Sequence, residues 1–221
     1  MAKHRRGLPW ADIIIDDSAK TILVRQDWSY TWKLSKGDAV WKPSEWTDEE
    51  KAAFHDECEK SILAVWSSKR KYVCTGEVSF AKTNADIIFD LVFDIRLATG
   101  PAHWKVDVLK IKPTGYHRSR VSWASRRISL DTNDMKFKTI VPKDSTIAYF
   151  QKGAPHEFGH AIGNMPNFKR GDEYPSSSSH YFDKASIMNV GMEIRDRHFQ
   201  TIEEKLDKVI RGVKFKPYTK S

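Results

Sequence analysis

Lys20-Thr21-Ile22-Leu23-Val24-Arg25-Gln26-Asp27-Trp28-Ser29-Tyr30-Thr31-Trp32-Lys33-Leu34 is the stretch from which the fold can be read. Ile22, Val24, Trp28, Tyr30, Trp32 and Leu34 fall on one face of an extended chain, with Gln26 as its polar member. Thr21, Arg25, Asp27, Ser29, Thr31 and Lys33 take the other face, where Leu23 is the exception. Side chains of a strand alternate between two faces, so this period of two predicts a half-buried strand, or two joined by a tight turn.

C-terminal to it, Thr47-Asp48-Glu49-Glu50 reads as a capping box, a hydroxyl followed three residues later by a carboxylate. Phe54, Cys58, Ile62, Val65 and Trp66 then recur at helical spacing, predicting an amphipathic helix over 48–67 packed on a sheet. From Ile87 to Leu97 every odd position is apolar, while Asp86, Asp90, Asp94 and Arg96 share the even face. The three aspartates are read as a solvated strand face, not a metal site. Trp104–Lys112 and Arg120–Leu130 are two further expected strands, and Phe199, Ile202, Leu206, Val209 and Ile210 predict a closing amphipathic helix. Strands, helix, strands is the order of an α+β protein, a twisted mixed sheet with a packed helix. No repeat or long linker divides the chain, so a single domain over 1–221 is expected, with a scaffold in 1–140 and a functional segment in 145–211.

Charge and cysteine content narrow the function classes. The chain has 221 residues, 40% hydrophobic and 30% charged, enough apolar material for a core. Its net charge of +8 admits a basic nucleic-acid-binding protein as the alternative reading, yet no zinc-finger, helix-turn-helix or RNA-recognition signature accompanies it. Cys58 and Cys74 lack CxxC spacing and are read as free thiols, buried or half-buried. No apolar run reaches the ~18–20 residues of a membrane span. Met1–Asp12 holds no apolar stretch of the kind a Sec signal peptide needs, so synthesis in the cytoplasm is expected, with any export left to a dedicated machine.

The chemistry concentrates in His156-Glu157-Phe158-Gly159-His160. On a helix the two histidines are i and i+4, so both imidazoles leave one face a turn apart and converge on one Zn²⁺. Glu157 stands where a carboxylate takes a proton from an activated water. Pro155 and Gly153 just before the motif mean either that the helix starts close to His156 or that a helical stretch over Thr146–Lys152 is kinked there; the kinked version is preferred. Two histidines need a third ligand, and Gly171-Asp172-Glu173-Tyr174 offers it, Glu173 first and Asp172 second, with Glu193, His198 and Glu204 also open. Ser186-Ile187-Met188-Asn189-Val190-Gly191 reads as a tight turn carrying Met188.

The HExxH helix, the Gly171–Tyr174 element, the Met188 turn and the trailing Arg195–Phe199 together resemble zincin metallopeptidases of metzincin-like type. The likeness extends to the metallopeptidase domain attached to type VI secretion spike proteins, and spans about residues 145–210. It implies a single zincin-like domain, one Zn²⁺ per chain, Glu157 as general base and Met188 as the residue of a methionine turn beneath the metal. It also implies a protein or peptide substrate, an antibacterial effector role in a target-cell periplasm, and a cognate immunity protein or secretion carrier as partner. The chain departs from the pattern at Pro166, which occupies the third-ligand position and has no metal-binding group. His198 or Tyr174 is the expected donor to the substrate oxyanion. Arg195 and Arg197, near the expected substrate pocket, are read as salt-bridged or solvated in preference to selecting acidic side chains.

Overall fold

The computed structural model describes residues 3–219. The chain opens with strands β1 (Lys3–Leu8), β2 (Ala11–Asp16) and β3 (Thr21–Leu34), then helix α1 (Asp48–Trp66). Strand β4 (Lys71–Thr75), helix α2 (Ser79–Thr83) and strands β5 (Phe89–Leu97), β6 (Trp104–Lys110), β7 (Arg120–Ser122) and β8 (Arg127–Asp131) follow. Strands β9 (Lys138–Ile140) and β10 (Tyr149–Gln151) lead into helix α3 (Gly153–Ala161), and helix α4 (Gln200–Leu206) and strand β11 (Lys214–Pro217) close the chain. The architecture is α+β with a nine-stranded mixed sheet in the order β11-β4-β5-β3-β6-β8-β7, to which β2 and β1 attach beside β3.

Strand β3 is the long central strand that its alternation predicts. Its first half pairs in parallel with β5, its second half in parallel with β6, and Thr21–Arg25 also pairs antiparallel with β2. The registers put one apolar face together. Ile22 lies opposite Leu91, Val24 opposite Phe93, Trp28 opposite Trp104, Tyr30 opposite Val106, and Val106 opposite Ile128. Helix α1 lies on that face. Its Thr47 side chain accepts from the Glu50 amide and the Glu50 carboxylate accepts from the Thr47 amide, the expected capping box. Phe54, Cys58, Ile62 and Trp66 are its buried stripe. Cys58 and Cys74 are free and buried, as expected. Asp94 is held by Arg25 and Arg96, each at 2.8 Å, which fits a polar outer face for β5.

Three expectations are corrected. Residues 120–130 form a hairpin, not one strand, because the chain turns at Trp123–Arg126, where Arg126 takes φ +47° and its amide bonds back to the Trp123 carbonyl. The stretch before the HExxH motif is not helical. Tyr149–Gln151 pairs as a strand with β9, Lys152 is extended, and α3 starts at Gly153 with Pro155 in its first turn, where a missing N–H costs nothing. The closing helix is shorter than its apolar spacing suggests: Asp196–Phe199 is a 3₁₀ turn and Val209 and Ile210 follow α4 in turns. Strand β2, buried at all six positions, carries no alternation and escaped the sequence reading.

Candidate metal centre

Helix α3 is anchored to the sheet and to α1 from several sides. Gln26, the polar member of the β3 face, donates through its side-chain amide to the Ala161 carbonyl at 3.1 Å and accepts from Trp28 Nε1 at 2.9 Å. Trp66 Nε1 of α1 donates to the Pro155 carbonyl at 2.9 Å, and the Phe93 and Phe158 rings meet edge to face at 5.2 Å. Gly159 has no spare room: a Cβ there would lie 2.5 Å from Met188 Sδ and 3.0 Å from the Trp66 ring. Gly163, at φ +110°, turns the chain sharply after the helix, a conformation that glycine adopts without steric cost. That turn brings the Asn164 carbonyl back onto His160.

The two histidines are fixed from behind. His156 Nδ1 lies 2.6 Å from the Ile187 carbonyl and His160 Nδ1 2.5 Å from the Asn164 carbonyl. A carbonyl oxygen only accepts, so each Nδ1 carries the proton and each Nε2 of the neutral ring presents a lone pair. Both Nε2 atoms point at one oxygen: Asp172 Oδ1 lies 3.3 Å from His156 and 3.1 Å from His160. Ligands at ~2.0–2.1 Å around a tetrahedral ion are about 3.3 Å apart, so this donor set fits zinc. The far oxygen, Asp172 Oδ2, accepts from the Tyr174 hydroxyl at 2.7 Å, the kind of outer partner that would orient the carboxylate toward an ion. Burial works to raise the Asp172 pKa, but the Tyr174 hydroxyl and the two imidazoles, which donate from Nε2 only when protonated there, outweigh it and hold the group well below the usual carboxylate range.

Asp172, not Glu173, is the carboxylate at the histidines. The two neighbours send their side chains to different partners, Asp172 to the histidines and Glu173 to Arg197. Glu173 turns inward, its amide donating to the Met188 carbonyl and its carboxylate held by the Arg197 fork at 2.7 and 2.8 Å. Burial pushes its pKa up and Arg197 pulls it further down, to about 2. The other candidates are engaged elsewhere: Glu193 with Arg195, Glu204 with Arg170, and His198 with Ser186 and the Arg195 amide. His198 is buried and does not line this cleft, and Tyr174 lines it with its one hydroxyl proton given to Asp172, so neither expected oxyanion donor is free in this structure. Arg195 and Arg197 are salt-bridged, both of them to Asp183.

Glu157 is buried beside the histidines, and its Oε2 has no hydrogen-bond partner. Burial raises its pKa, while His156 and His160 draw it back. A carboxylate oxygen so placed is a proton acceptor without a proton donor of its own in the protein. Met188 lies beneath the helix, fully buried, in a turn whose Ile187 carbonyl holds His156. The sequence reading missed Gln151, whose side-chain amide is shared among the carbonyls of Ile187, Asn189 and Gly191, and Asn164, which bonds the Gly159 and His198 carbonyls. Amide side chains at turns are common, and nothing in their spacing sets these two apart.

A cleft runs past the site. On one side a cavity of about 440 Å³ is lined by Tyr116, Lys138, Ile140, Gln151 and Val190, and on the other one of about 190 Å³ by Arg120, Val121, Met165 and Pro166. Arg118, Ser119, His156, Glu157 and Tyr174 border both. Strand β7, last in the sheet order and paired only with β8, forms the rim of the smaller one. No known family model, curated protein or solved structure matches this chain. No helix among the described residues is long and apolar enough to cross a membrane.

Proposed function

We propose that the chain is a zinc-dependent endopeptidase. The observation that carries the reading is the convergence of His156 Nε2, His160 Nε2 and Asp172 Oδ1 beside the unpartnered Glu157 carboxylate, in a cleft bordered by a free strand edge. Zinc held by these three residues supplies a Lewis acid that polarises a peptide carbonyl and acidifies a water molecule. The remaining steps belong to the protein. An extended peptide adds to the open edge of β7, taking main-chain hydrogen bonds from it. Glu157 accepts a proton as water attacks the carbonyl carbon, then delivers it to the amide nitrogen as the C–N bond breaks. Ile187 and Asn164 keep the imidazoles in the ligating tautomer, and Tyr174 keeps Asp172 in position. The antibacterial effector role implied by the resemblance rests on this same site.

The test is Glu157→Gln, measured for both peptide cleavage and zinc content. Removing the base alone is expected to slow cleavage at least ~10²–10⁴-fold while zinc stays near one per chain. Cleavage that survives the substitution, or wild-type protein that takes up no zinc, defeats the reading. Nucleic-acid binding that falls steeply with salt and survives chelation is the signature of the alternative.

A further inference from the structure

The lysine and arginine residues lining the cleft are Lys138, Arg118 and Arg120. Lys138 is neutralised by Asp134 at 2.9 Å, while Arg195, Arg197 and Arg170, which do not line the cleft, are paired with Asp183, Glu193, Glu173 and Glu204. Arg118 and Arg120 are exposed and form no ion pair among the described residues. Their placement follows from the chain around them. Ser119 is drawn inward by its 2.5 Å hydrogen bond to the buried Asp134, and Val121 packs half-buried against the core. In extended backbone the alternate residues, Arg118 and Arg120, then take the outer side. Arg118 borders the cleft on both sides of Glu157, and Arg120 borders the smaller cavity beside His160. The Arg118 guanidinium also lies near enough to the Tyr174 hydroxyl to oppose part of the rise that burial and Asp172 impose on it. The carboxylates bordering the same cleft, Glu157, Asp134 and Asp172, are buried or engaged and do not cancel these two charges.

We propose that this cleft selects peptides carrying aspartate or glutamate close to the scissile bond, with Arg118 and Arg120 as the residues that recognise them. The proposal rests on the endopeptidase reading of the site. A guanidinium presents a planar fork that matches a carboxylate with two hydrogen bonds. The span involved is about three residues either side of the cut, the reach of a short strand at ~3.3 Å per residue.

The experiment digests a peptide mixture from a whole proteome with wild type, with Glu157→Gln and with the double variant Arg118→Glu/Arg120→Glu, and reads the cut sites by mass spectrometry. Cuts that depend on Glu157 are expected to show Asp and Glu enriched about tenfold over Lys and Arg within those positions. In the double variant the ratio is expected to invert. Should that variant fail to fold, Arg120→Gln takes its place, with the enrichment reduced about threefold. In the wild type the enrichment should also fade as salt approaches ~1 M, where the Debye length shrinks to about 3 Å. Glu157-dependent cuts without acidic enrichment overturn the proposal and leave the endopeptidase standing. No Glu157-dependent cuts at all overturn both. Oligonucleotide binding that the double variant abolishes, with no acidic enrichment in the cuts, assigns the two arginines to nucleic acid and overturns the proposal too.

Discussion

Strand β3 and the segment 164–195 both hold side chains in fixed positions, and they do so by opposite means. Strand β3 is regular along fourteen residues and hydrogen-bonded by its backbone along both edges. The segment has one short 3₁₀ turn at Pro166–Phe168 and otherwise loops. Its carbonyls are met by the amide side chains of Gln151 and Asn189, Asn164 ties its start to the Gly159 and His198 carbonyls outside it, and its charged groups are met by the Glu173, Asp183, Arg195 and Arg197 network. Backbone ladders spread the loss of one residue over many bonds, whereas a side-chain lattice concentrates it. Core damage should therefore lower the stability of the whole chain, and lattice damage should act first on the candidate metal centre.

The largest effect is expected in β3. Trp28 is buried between Leu97 and Trp104 in the sheet register and donates to Gln26, which in turn holds the end of α3. Trp28→Ala removes a large core side chain and leaves the Gln26 amide oxygen without its donor, a loss of about 3–5 kcal/mol. For a chain of this size Tm should drop by about 10 °C or more. A smaller loss here than in the lattice variants would invert the comparison.

The contrast also explains what could be read from sequence. Strand β3, the strand at 89–97 and the helix at 48–66 were legible because alternation and helical spacing follow directly from burying one face. HExxH was legible because its spacing puts two imidazoles on one helix face, and the structure brings both onto the Asp172 carboxylate. Asp172 and Glu173 were not separable. Adjacent carboxylates do not say which one faces the histidines; that depends on Arg197, a distant residue that pairs with Glu173. Buried β2 was lost for the opposite reason, since a strand covered on both faces has no alternation to see. Arg118 and Arg120 are set apart only by the pairing of Lys138, the third cation of the cleft, with the buried Asp134.

A smaller loss is expected at Glu173. Glu173→Gln leaves Arg197 with Asp183 alone, and should cost about 2–3 kcal/mol, below the ~3–5 of a fully buried broken pair because Arg197 is partly exposed. The pH dependence has a definite sign. Arg197 holds the folded-state pKa at about 2 against an ordinary 4.5, so this stabilisation is complete above 4.5 and is lost as pH falls through about 2. Urea unfolding of metal-free wild type should weaken across that window, and the variant should show a shallower acid slope. Equal slopes would place the acid sensitivity in some other group.

The smallest effect tests locality most directly. Gln151 lies at the end of β10, and its side-chain amide reaches the Ile187, Asn189 and Gly191 carbonyls around the Met188 turn. Gln151→Leu keeps the bulk and removes the donors, for about 1 kcal/mol of stability. The Ile187 carbonyl is also the acceptor that orients His156, so loosening the turn should weaken zinc binding about tenfold, the range of an outer-partner loss. Hydrogen exchange of amides 186–191 should accelerate while those of β3 keep their protection, because the turn can open without the sheet. If β3 exchanges faster in step with the turn, the lattice and the ladder are one cooperative unit, and the division between them fails.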